Sequence, residues 1–151
     1  MAIREIRKEG DEILSKKCRE VEEVTDKILE LGQDMLDTMY KYDGIGLAAV
    51  QVGVLQNIIV IDIDHENQKF KSEIINPKII SFSSEQSIMK EGCLSVVDRQ
   101  CNVLRPNKIV VEYFTLDKNK HTVEADGLLA KCFQHEIDHT NGITIVDKEI
   151  K

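Results

Sequence analysis

His135-Glu136-Ile137-Asp138-His139, near the end of the chain, restricts the fold more than any other segment. Two histidines four residues apart share one face of an α-helix, about one turn from each other, so a helix here lets both imidazoles reach a single tetrahedral ion. The glutamate between them falls partly off that line, beside a coordinated water rather than among the ligands. Following the face back from His139 gives His135, Cys132 and Leu128, a stripe that starts apolar and ends in two imidazoles. Such a stripe has to face a core, with a pocket at its histidine end. Asp126 is placed to cap a helix over 127–141, and Gly142 to stop it.

Two histidines leave a catalytic metal site one protein ligand short of three. Cys93, in Glu91-Gly92-Cys93-Leu94-Ser95, is the candidate: its thiolate is a strong, soft donor, and Gly92 would let the backbone approach another element. A lone cysteine is ordinarily a small buried residue, so Cys93 needs further support. Asp138 reads as a helix or supporting residue, and His65 and His121 as surface residues.

Composition excludes several classes. The net charge is −7 and lysines are interspersed with acids, so no basic face marks a nucleic-acid binder. No apolar run approaches the roughly 20 residues of a membrane span. Residues 1–10 are charged and lack a signal-peptide core, so the expected location is the cytoplasm, with Cys18, Cys93, Cys101 and Cys132 reduced.

Residues 26–42 carry Ile28, Leu31, Met35, Met39 and Tyr42 at helical steps, with Thr25 or Asp26 as cap and Gly44 as terminator. Strands are expected over 58–63, over 74–80 (broken by Pro77), at Val103 with 108–116, and over 121–125. Strands in the middle with helices at both ends predict an α+β fold, and the absence of linkers or repeats predicts one domain over 1–151.

Gly44-Ile45-Gly46-Leu47-Ala48-Ala49-Val50-Gln51 contains a G-x-G-x-x-A pattern. A dinucleotide loop must follow a strand and open a helix; this stretch follows a helix, and Gly53 interrupts any helix after it. The alternative is a tight loop whose backbone approaches a ligand and whose Gln51 amide points at a substrate carbonyl, as an oxyanion donor would.

These three segments, in this order and spacing, resemble the motifs of the peptide deformylase family, over nearly the whole chain. The resemblance implies antiparallel sheets packed around the carboxy-terminal metal-binding helix, with an amino-terminal helix. It implies metal ligands Cys93, His135 and His139, a general base at Glu136, and oxyanion donors in the Gln51 amide and the Leu94 backbone N–H. It implies one divalent ion, Fe2+ first, with Zn2+, Ni2+ or Co2+ also accepted; the ligand set alone would suggest zinc. The implied substrate is the formyl-methionine end of new polypeptides, met at the ribosome by a monomer, with formate released. Ile45, Gly46, Leu128 and Cys132 are expected to form the methionine pocket, and Arg105 to pair with Glu91. Val50 and Val97 stand where the family usually has proline, which loosens the loops concerned. Two rivals stay open: another H-E-x-x-H hydrolase such as a small metalloprotease, and a closed structural site completed by Cys101 or Cys132.

Overall fold

The computed structural model describes residues 2–150. Helix α1, Asp26–Lys41, starts where predicted: Thr25 takes the cap position and its hydroxyl accepts from Ile28 N at 3.3 Å. Ile28, Leu31, Met35 and Met39 form its buried face. Its end differs from expectation. Asp43, at φ +57°, is the left-handed residue, and Asp43 N and Gly44 N donate back to Tyr40 O and Met39 O at 3.2 and 2.9 Å. Gly44 is required for another reason, since a Cβ there would sit 2.9 Å from Leu94 Cδ1.

The chain then runs through a short strand β1 (Gly46–Ala48), a 3-10 turn (Ala49–Val52), and strands β2 (Ile58–His65) and β3 (Gln68–Phe82). Strands β4 (Gln86–Cys93) and β5 (Val96–Pro106) form a separate antiparallel hairpin. Strands β6 (Lys108–Phe114) and β7 (Lys120–Asp126) return to the first sheet, whose antiparallel order is β1-β2-β3-β6-β7. Helix α2, Gly127–Thr140, follows.

The unbroken apolar run of β2 has a simple cause. Successive side chains of a strand point to opposite faces. Ile58 and Val60 pack on one side with Met35, Met39 and Leu47, under α1. Ile59, Ile61 and Ile63 pack on the other with Ala130, Phe133 and Ile137 of α2. The sheet is thus covered by a helix on each face, and β2 has no solvent side to alternate with. Phe133 anchors α2 through Phe70 and Tyr113, ring centroids 5.5 and 6.0 Å away. Among the described residues no helix is long and apolar enough to cross a membrane.

Pro77 does not end its strand. β3 runs through it with a bulge between Ile75 and Lys78, where Asn76 at φ +50° turns its side chain onto the Val21 amide and carbonyl. A bulge removes the need for the N–H that proline lacks. The β4–β5 hairpin is not expected from the sequence apart from Val103; its buried positions mix Glu91 and Arg105 with Cys101 and Val103, while Ile88 and Leu104 are exposed, so the apolar alternation that signals a strand is blurred.

Both ends of α2 are fixed by its surroundings. Asp126 occupies the cap position with extended backbone but contributes no side-chain cap. Gln68 of β3 does so instead: its Oε1 accepts from Leu129 N at 3.0 Å and its Nε2 donates to Asp126 O at 3.2 Å. Gly142, at φ +78°, ends the helix as predicted, with Gly142 N on His139 O at 3.1 Å and Ile143 N on Asp138 O at 2.9 Å. A Cβ on Gly142 would lie 2.5 Å from Ser15 O, so the amino-terminal segment packs directly on this turn.

Candidate metal centre and active site

Because α2 lies flat on the sheet, its last two turns are buried, and His135, Glu136 and His139 are buried with them. Cys93 ends β4 just before the hairpin turn and reaches the same point, its Sγ 3.3 Å from His139 Nε2. One donor atom from each of Cys93, His135 and His139 lies within 4.8 Å of the others, the only such group among the described residues. Metal bonds of about 2.0–2.3 Å at tetrahedral angles place ligand atoms about 3.3–3.8 Å apart. One thiolate and two imidazoles converging at this spacing therefore fit a divalent ion. Neither Cys101 nor Cys132 joins the group, so nothing here supports a closed four-ligand site.

The imidazole of His135 is held from behind. Its Nδ1 lies 3.0 Å from Glu91 Oε1. A carboxylate only accepts, so Nδ1 carries a proton, and Nε2 is the nitrogen left to turn its lone pair to an ion that displaces the second proton. Glu91 is itself fixed by Arg105, through Nε at 2.5 Å and Nη2 at 2.9 Å, and Arg105 Nη1 reaches Asp138 Oδ2 at 2.9 Å. Glu91 and Arg105 are 1 % and 2 % exposed. Burial pushes the Glu91 carboxyl up, but hydrogen bonds from His135 and Arg105, with their charges, outweigh it and hold it at about 2. The pairing of Arg105 with Glu91 was expected; the links onward to His135 and Asp138 were not, because nothing local in the sequence joins residues on β4, β5 and α2.

Burial pushes the Glu136 carboxyl up, to about 7, close to where a base works at neutral pH. Its Oε2 is 3.9 Å from His135 Nε2, and its buried Oε1 has no partner in the protein. Burial opposes a cation at His135, yet Glu136, Cys93 and Glu91 together raise its pKa to about 10. The pocket thus concentrates negative charge and favours a positive ion. Burial pushes His139, 0 % exposed, the other way, well below its ordinary value.

Gln51 sits in the 3-10 turn after β1 and is 1 % exposed. Ala48 N donates to its Oε1 at 2.9 Å, while its Nε2 donates to Ser95 Oγ at 3.0 Å and lies 3.6 Å from Cys93 Sγ. The amide is therefore oriented, with N–H groups on the metal side. Ser95, which fixes it, was not singled out in the sequence; a buried serine carries no local signal.

Close approach is needed at Gly46 rather than Gly92. A Cβ on Gly46 would lie 2.7 Å from both Cys132 Sγ and Glu136 Oε2, whereas one on Gly92 would meet nothing nearer than 3.9 Å. β1 packs against α2 at the base of a cleft of about 670 Å³, lined by Ile45, Gly46, Gln51, Leu94, Cys132 and Glu136 among others. Leu128 does not line it. At the start of α2 it is half-buried against the core between sheet and helix, one turn too far from the histidines, and Lys131 lines the wall instead.

A family model described as polypeptide deformylase matches residues 3–151. A peptide deformylase of Finegoldia magna is 49% identical over 148 residues, covering 98% of this chain and 90% of that protein. Among solved structures, peptide deformylase from Ehrlichia chaffeensis in complex with actinonin superposes with a TM-score of 0.95 at 40% identity, covering 100% of this chain and 91% of that one. A class I type b peptide deformylase from Acinetobacter baumannii, with Met-Ala-Ser bound, gives 0.92 at 30% identity over 97% and 98% of the two chains.

Proposed function

Because the chain belongs to the peptide deformylase family, and is therefore a hydrolase, we propose that it removes the formyl group from the formyl-methionine end of newly made polypeptides and releases formate. Cys93, His135 and His139 hold one divalent ion, Fe2+ in the first place, with Zn2+, Ni2+ and Co2+ as alternatives the same ligands accept. When bound, the ion supplies Lewis acidity and lowers the pKa of water.

The chain supplies the rest. Glu136 takes a proton from the attacking water as the new C–O bond forms at the formyl carbon, and returns it to the amine nitrogen as the C–N bond breaks. The Gln51 amide, pinned by Ala48 and Ser95, and the Leu94 backbone N–H donate to the carbonyl oxygen as charge builds on it. Loss of one such donor typically costs about 2.7–4 kcal/mol of transition-state stabilisation. Glu91 and Arg105 keep His135 in its ligand tautomer. Ile45, Gly46 and Cys132 receive the methionine side chain. The whole chain, 1–151, acts as one catalytic domain, a monomer that meets nascent chains near the ribosome in the cytoplasm.

The observation that carries this reading is a buried carboxylate oxygen without a protein partner, Glu136 Oε1, beside three converging metal donors and an oriented amide. Protein purified without oxygen and loaded with Fe2+ is expected to release formate from a formyl-Met peptide and to leave the unblocked peptide intact. Cleavage of the unblocked peptide's backbone without formate release points instead to a metalloprotease.

A further inference from the structure

Two side chains from arginine or lysine line the cleft, Arg99 on β5 and Lys131 on α2. Their situations differ. Arg99 is committed to carboxylates, with Nη2 2.5 Å from Glu149 Oε1 and Nη1 4.0 Å from Glu9 Oε1. Lys131 has no carboxylate partner among the described residues. Its Nζ touches one backbone acceptor, Lys90 O, at 3.3 Å. An ammonium has three donors, so two are left for a ligand in the cleft that Lys131 lines.

The cleft's carboxylates divide in the same way. Glu91 is bound to Arg105 and His135, and Glu136 is the base. Asp43 and Asp98 have no cationic partner among the described residues, but they stand on other elements, after α1 and on β5. The walls therefore carry unlike charges in different places, and net charge does not decide what binds. Lys131 is one helical turn, about 6 Å of rise, before His135. An extended peptide advances about 3.3 Å per residue. With the formyl group at Glu136, the ammonium lies within reach of a side chain on the first or second residue after methionine.

We propose that Lys131 is a specificity-determining residue, which gives the enzyme a preference for formyl-methionyl chains bearing Asp or Glu at one of those two positions. This rests on the deformylase reading above and adds the class of chain preferred. The Lys90 carbonyl on β4 holds the Lys131 ammonium at one point of the cleft, so the effect is local to one substrate position.

The test uses Fe2+-loaded full-length protein and formyl-Met tripeptides carrying Glu, Gln or Lys at the second or third position. An ion pair on a cleft rim is worth roughly 0.2–1 kcal/mol, so kcat/KM for Glu over Lys is expected to be about 1.4- to fivefold at one position, and to shrink as salt is added. K131E inverts the ratio at that position and leaves the other position's ratio alone, while K131Q brings it near one. A ratio unchanged in K131E and K131Q, or shifted equally at both positions, overturns the inference while wild-type turnover of the Gln peptide leaves the deformylase reading standing. Absence of turnover of every peptide by the wild type removes that reading and this inference with it.

Discussion

In the proposed mechanism Glu136 is the residue on which the chemistry depends, and its neighbours explain why a glutamate can serve there. It is buried beside His135, has one oxygen without a protein partner, and has a carboxyl lifted by burial to about 7. It is not among the three metal donors. Glu136→Ala should therefore keep the metal and lose turnover, with kcat lower by about 10²–10⁴ as expected for loss of a general acid–base. Metal content by elemental analysis and formate release on the same preparation check both halves. Near-normal turnover with metal bound removes Glu136 as the base. At this scale the sequence was readable where residue type and spacing coincide, as in His135, Glu136 and His139. It misled where a residue's role depends on an element far along the chain. Gly46, not Gly92, makes the close approach, because α2 rather than the hairpin is what comes near. Leu128 shares a helical face with Cys132 and packs against the same core, but only Cys132 also lines the cleft.

The elements show how a hairpin and a helix share one site. β4 delivers Cys93 and Glu91, β5 delivers Arg105, and α2 delivers His135, Glu136, His139 and Asp138. The chain of contacts His135–Glu91–Arg105–Asp138 ties the three together through buried charges. Removing one member leaves the others uncompensated, which in buried pairs costs about 3–5 kcal/mol. Arg105→Met is expected to lower the unfolding free energy by that order in metal-free protein, measured by urea denaturation. A loss below about 1 kcal/mol would mean that the network is not needed to dock hairpin on helix. The same network explains why β4 and β5 were hard to see beforehand. A strand is recognised by apolar alternation, and here Glu91 and Arg105 take two of the buried positions while Ile88 and Leu104 are exposed. β2 was easy for the opposite reason, with Ile58 to Ile61 buried on both faces. In the sequence Pro77 reads as a break because a proline in mid-strand usually is one; the bulge at Asn76 depends on Val21, 55 residues earlier.

For the molecule as a whole, an α+β fold was foreseeable from helices at both ends and β-branched runs between, and the resemblance supplied the antiparallel sheets and their wrapping around α2. The strand order and the Gln68 cap on α2 were not, since both arise from contacts between distant segments. What the fold accomplishes is to bring a thiol from mid-chain to two imidazoles near the end, 46 residues away from Cys93 in the case of His139. That convergence is the central claim, and cobalt reports on it directly. Metal-free protein titrated with Co2+ without oxygen should bind one ion per chain and develop a sulfur-to-metal charge-transfer band, and Cys93→Ala should lose the band and most of the affinity. Tight stoichiometric binding by Cys93→Ala, with the spectrum unchanged, would contradict the account.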